Sequence, residues 1–134
     1  MLIDRSYRKH PMGRAAMRLA QSVFELIQLF PDSEKSGMAS MLKRTAASIP
    51  PKIACTFMQD EPADAAKALE SVIVSLRELA GYLDVAQQLR MTNRRHFRRP
   101  RRRANTLYAR VREVLDAIEA FEAQSPQPQF HLAA

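Results

Sequence analysis

Residues 69–86 read LESVIVSLRELAGYLDVA, and this stretch decides the fold. Leu69, Val72, Leu76, Leu79, Leu83 and Ala86 recur in alternating steps of three and four. Because an α-helix turns once in about 3.6 residues, that spacing puts all six on one face. Glu70, Arg77, Glu78 and Asp84 fall between them. Asp60-Glu61-Pro62, just upstream, supplies an N-cap candidate and a proline suited to the first helical turn.

The same period extends outward in both directions. Met12, Ala16, Leu19, Val23, Ile27 and Phe30 form one series, which Pro31-Asp32-Ser33 ends while offering a cap for the next element. Met38, Leu42, Thr45, Ile49, Ile53 and Phe57 form a second, interrupted by Pro50-Pro51. Two prolines there remove backbone donors and should kink the helix, with Ser48 placed to satisfy freed carbonyls. Leu107, Val111, Val114, Ile118 and Phe121 form the last series. No segment alternates with the period of a strand. The fold class read from this pattern is all-α: an antiparallel up-down four-helix bundle with a kinked second helix. Its expected organisation is a basic N-terminal segment 1–11, a bundle 12–122 and a mobile, proline-containing tail 123–134.

The first helix is unusually apolar near its end. Six of the eight residues from Val23 to Phe30 are apolar, leaving Glu25 and Gln28 for water. A helix with one solvent face should be about half polar. Either the helix is central and well buried, or a second apolar face around Phe24 and Leu29 is a subunit contact.

The chain has 134 residues, enough for one domain with a real core. Its three glycines argue against a turn-rich β architecture. One cysteine, Cys55, excludes an intramolecular disulfide and fits a reducing cytoplasm. Near the second seam it reads as a buried thiol, and the seven methionines, Met12, Met38 and Met41 among them, as core fillers. No run approaches the roughly 18 apolar residues of a membrane span. The basic N-terminus lacks the apolar region of a secretory signal, and the helical pattern beginning near Met12 argues against a transit peptide.

Residues 94–103, RRHFRRPRRR, hold seven of the 21 basic residues and no acidic ones. The other 14 basic residues balance all 14 acids, so this one run carries the net charge of +7. Such concentration points to an anionic partner. Stepping back from Leu107 by threes and fours lands on Ala104, Pro100 and Phe97, so the arginines occupy positions off the seam. The run is therefore expected to be the front of the fourth helix, capped near Thr92 or Asn93 and kinked at Pro100, with a disordered loop as the rival. Phe97 could stack on a base, whereas its seam phase places it in the core. Arg5, Arg8, Lys9, Arg14 and Arg18 form a second basic population that reads as a solvated face. In an up-down bundle the second and fourth helices start at the same end, so Lys43-Arg44 should extend the arginine patch.

The segment FPDSEKSGMASMLKRTAASIPPKIA, Phe30 to Ala54, carries a family resemblance. Its Phe30-Pro31 pair, Gly37, Lys43-Arg44, Ala46-Ala47, Ser48-Ile49-Pro50 and Ile53-Ala54 resemble the signature of a bacterial four-helix-bundle family. Members of that family include proteins encoded within intervening sequences of large-subunit ribosomal RNA genes. Ser75, Leu76, Glu78 and Leu79 resemble its third-helix motif, and the likeness covers roughly residues 12–122. The chain is also similar to accessory proteins of diversity-generating retroelements. These resemblances imply an up-down bundle assembling into a homopentamer, with a reverse transcriptase and nucleic acid as partners. The chain departs from the pattern at Lys52, Cys55 and Thr56, at Val74, and in the arginine run itself.

Nothing in the sequence assembles a catalytic site. His10, His96 and His131 lie in three separate regions without metal-ligand spacing, and there is no phosphate loop, nucleophile motif or paired Glu-x-x-His. The expectation is a non-enzymatic, cytoplasmic homo-oligomer with no cofactor and no metal. It would bind nucleic acid, RNA before DNA, through Arg94, Arg95, Arg98, Arg99, Arg101, Arg102 and Arg103, with Lys43 and Arg44 beside them. The alternative is a scaffold docking an acidic protein such as a reverse transcriptase.

Overall fold

A computed structural model describes residues 6–34 and 37–124. Four helices account for most of them: α1 (Pro11–Gln28), α2 (Met38–Phe57), α3 (Pro62–Gln88) and α4 (Arg98–Gln124). Short 3-10 turns occupy Ser6–Arg8, Asp32–Glu34 and Arg94–Phe97. Among the described residues there is no strand. The expected tail beyond Gln124, together with Arg5 and His131, lies outside the described residues; Ala123 and Gln124 extend α4.

The helices close a ring, α1 on α2, α2 on α3, α3 on α4 and α4 back on α1. Short links between consecutive helices impose the antiparallel up-down order. The first and third apolar series are buried throughout, and the second is buried except for the half-buried Met38 and Phe57 at its ends. Each large aliphatic side chain removed from water this way contributes about 1.5–3 kcal/mol.

The fourth series drifts. Leu107 and Val111 are buried as expected, but Leu115 takes the next core position, Val114 and Ile118 are only half-buried, and Phe121 is 59 % exposed. A straight helix rotates by about 20° per heptad against a strict 3.5-residue repeat, which moves the inward face from Val114 to Leu115. One methionine assignment also changes. Met12 is in the core, whereas Met41 faces solvent.

Helix ends differ in detail from the sequence expectation. Within Asp60-Glu61-Pro62, Glu61 is the N-cap of α3; it caps with extended backbone and no side-chain bond, and Pro62 opens the helix. Asp32 lies in a 3-10 turn, and α2 starts after Gly37. His10 is spent on structure: its Nδ1 accepts from the Met12 amide at 3.0 Å, and its ring meets Phe57 edge-on with centroids 5.1 Å apart. The N-terminal segment from Ser6 is thus docked on the bundle. Gly13 makes this possible, because a Cβ there would run into the Tyr7 carbonyl.

Both prolines of the pair lie inside a continuous α2, with Ile49 and Ile53 fully buried around them. Their missing donors leave the Ala46 and Ala47 carbonyls without helix partners. Ser48 does not repair this, since its hydroxyl donates to the Thr45 carbonyl at 2.7 Å. One turn on, Lys52 Nζ donates to Ser75 Oγ at 2.6 Å and ties α2 to α3. Cys55 is exposed rather than buried, because the inward phase runs through Ile53 and Thr56.

Candidate nucleic-acid interface

The turn from α3 into α4 sets the direction of the arginine run. Met91 N–H donates to the Ala86 carbonyl and Arg90 N–H to the Gln87 carbonyl, the paired bonds of a Schellman cap. The buried Met91 and Ala86 supply the apolar contact of that motif. Arg90 holds the left-handed position at φ 55°, where glycine is usual. Asn93 then caps the 3-10 turn Arg94–Phe97 with extended backbone and no side-chain bond.

Phe97 pins the run to the core. It is 1 % exposed, and its ring lies 6.3 Å from that of Phe30 at the end of α1. It packs in the core and is not available for stacking on a base. Pro100 and Ala104 are buried behind it, as the seam phase requires. Pro100 is the third residue of α4, so its missing donor falls in the first turn, where amides have no partner within the helix. The turn before it is 3-10 rather than α-helical.

The seven arginines fan out to different sides. Arg94, Arg98 and Arg101 line a groove of about 580 Å³ against α3, with Asp84, Gln87 and Gln88 opposite. Arg95 and Arg99, with His96, line a second groove of about 310 Å³ against Ser22, Glu25 and Leu29 of α1. Arg103 turns into a smaller cleft further down α1, and Arg102 is exposed. Arg90, Thr92 and Asn93 continue the α3-side groove beyond Arg94.

One of the seven is already engaged. Arg101 Nη1 lies 2.7 Å from Asp84 Oδ1, while its Nε and Nη2 both donate to Gln87 Oε1. None of the other six has an acidic partner among the described residues. They also sit at the positive end of the α4 dipole, whose first turn holds no acidic side chain.

Lys43 and Arg44 do not join this surface. They lie on α2, across the ring from α4. Lys43 Nζ stands 5.7 Å over the Phe24 ring on the α1 side. Arg44 faces the opposite flank, near the Tyr82–Glu78 pair of α3. There Tyr82 donates to Glu78 Oε1 at 3.0 Å, and that bond holds the phenol above its ordinary pKa. The expected subunit face also separates. Phe24 and Leu29 are 38 % and 48 % exposed, but Phe24 borders α2 and Leu29 borders α4. Five residues of helix rotate one from the other by about 140°.

Arg14 and Arg18 are exposed, as the solvated-face reading has them, and they line the lower α1–α4 cleft with Arg103 and Arg110. Among the described residues no group of His, Cys, Asp and Glu side chains is placed to hold a metal ion. No described helix is long and apolar enough to cross a membrane.

The family described as 23S rRNA-intervening sequence protein matches residues 8–113. The chain belongs to this family. The match spans α1, α2, α3 and the first half of α4, and it includes the arginine run and the Phe30–Ala54 segment that carries the resemblance. No curated protein shows significant similarity to the chain.

Proposed function

We propose that the protein is a non-enzymatic bundle that binds RNA through phosphate contacts from the front of α4. One observation supports this most: six arginines, Arg94, Arg95, Arg98, Arg99, Arg102 and Arg103, have no acidic partner among the described residues and lie at the positive end of a 27-residue helix. A cation in the first turn of a helix is worth about 0.3–1 kcal/mol in the unfavourable direction. A polyanion laid across this end reverses the sign of those terms. RNA is named before DNA because the family's description refers to ribosomal RNA.

The contacts supply affinity without base readout. The α3-side groove sets three guanidiniums beside Asp84, Gln87 and Gln88, the α1-side groove sets two beside Glu25, and Phe97 of the run is buried. Assembly of several copies, five on the resemblance, would multiply the patches and raise avidity. Phe24 and Leu29, on different sides of α1, are two of the exposed apolar side chains that such neighbours would cover.

A second reading rests on Leu29, exposed at the lip of the Arg95–Arg99 groove. Apolar and basic groups side by side also suit an acidic protein surface, such as that of a reverse transcriptase. The purified full-length chain separates the two. Under the RNA reading it carries ultraviolet-absorbing nucleic acid that nuclease and high salt remove. A protein partner that survives nuclease, with no nucleic acid present, supports the scaffold instead.

A further inference from the structure

We propose that the cleft walled by Arg14 and Arg18 of α1 and by Arg103 and Arg110 of α4 is a second phosphate subsite. It would take the backbone of a single RNA strand that first meets the arginine run. This rests on the RNA-binding reading above and extends it to residues outside the run.

Four guanidiniums line a cleft of about 130 Å³ with no carboxylate among its walls. Pro11, Ala15 and Thr106 are the remaining lining residues, so its floor is small side chains that leave the centre open. Arg14, Arg18 and Arg103 have no acidic partner among the described residues. Arg110 reaches Glu113 at 3.5 Å, but both side chains are about half or more exposed, so this pair neutralises little. The first turn of α1 also lacks an acidic residue. Packing α1 against α4 therefore gathers like charges and brings no counter-charge from the described residues. A phosphate supplies it.

The cleft is continuous with the primary patch. Arg99, Arg103, Thr106 and Arg110 follow at steps of four, three and four, which places them in one stripe along α4. At 1.5 Å per residue the stripe from Arg99 to Arg110 is about 16 Å long, enough to follow more than one phosphate of a strand. Above it, Arg95 and Arg99 line the neighbouring α1–α4 groove. Glu25 is the one acidic residue lining either groove of this seam, and it lies at the upper end. That charge disfavours a strand sitting deep beside α1 there, so the strand would enter over the run and settle in the lower cleft. Continuity with the run is what favours a nucleic-acid strand over an isolated phosphate.

The test uses the full-length chain, a short homopolymeric single-stranded RNA and inorganic pyrophosphate. Arg14→Gln/Arg18→Gln is expected to weaken RNA binding about tenfold or more and to flatten the log–log salt dependence by about 1.4, two contacts at 0.7 each. Arg14→Lys/Arg18→Lys should keep the slope, since Lys retains the charge. Pyrophosphate should raise the melting temperature of the wild type more than that of the glutamine variant. Unchanged helical content shows that the variants fold, as expected for exposed side chains. If Arg14→Gln/Arg18→Gln binds RNA like the wild type while Arg95→Gln/Arg99→Gln does not, the cleft is refuted and the RNA-binding reading stands. A wild type that binds no RNA, or binds only an acidic polypeptide, overturns both.

Discussion

Arg101 and Asp84 form the one ion pair that the arginine run makes with the rest of the described chain, Nη1 to Oδ1 at 2.7 Å across the α3–α4 groove. Gln87, one turn further along α3, accepts two bonds from the same guanidinium. The run is thus two populations with different work. One arginine fastens the front of α4 to α3, and six keep their charge available.

Replacing Arg101 separates the two. Arg101→Gln should lower stability by at most about 1 kcal/mol, because both partners are substantially solvated. It should weaken RNA binding less than the same change at Arg94, Arg98 or Arg99. Denaturation midpoints and RNA titrations on the four variants check this. Equal losses of binding at all four would show that Arg101 also contacts the ligand.

Arg90 gives a prediction of opposite signs. An L-residue at φ 55° in the left-handed region costs about 1 kcal/mol relative to glycine. Arg90→Gly should therefore raise the unfolding free energy by about that amount while weakening RNA binding, since Arg90 extends the groove beyond Arg94. Urea denaturation and binding measured on one preparation decide it. A less stable glycine variant would mean that the arginine side chain stabilises the turn.

The bundle was legible because its seams are regular; Leu69 to Ala86 needed only their spacing. What the spacing could not show was lateral placement. A phase argument puts Phe97, Pro100 and Ala104 inward, and they are inward. It does not say which neighbour each outward arginine meets, because that depends on the order of helices around the ring. For the same reason Lys43 and Arg44 were assigned to the right end but to the wrong side, and Arg14 and Arg18, solvated as read, were not placed beside Arg103. Arg110 was visible in principle, seven residues after Arg103 and therefore on its face. Arg90 left no signal, since only the finished Schellman cap shows that the position is left-handed. Cys55 was misplaced by proximity to the seam in sequence rather than by phase.

Two glycines in helices should respond to one substitution in opposite ways. At Gly81 an added Cβ meets nothing within 4 Å, so Gly81→Ala should stabilise by about 1 kcal/mol through helix propensity alone. At Gly13 the same methyl runs into the Tyr7 carbonyl, and Gly13→Ala should destabilise by about 1–3 kcal/mol while freeing the Ser6–Arg8 turn. Thermal denaturation and proteolysis near the N-terminus measure both. Stabilisation by Gly13→Ala would show that the segment is not held against α1.

The most direct test of the central claim is the salt dependence of binding to a single-stranded RNA, for the wild type and for a variant with Arg94, Arg95, Arg98, Arg99, Arg102 and Arg103 replaced by glutamine. Neutralising six phosphates predicts a log–log slope of about −4 or steeper for the wild type. The variant should lose most of that slope, and Arg101→Gln should lose almost none of it. A wild-type slope shallower than about −1, or one that survives the sixfold replacement, would contradict the account.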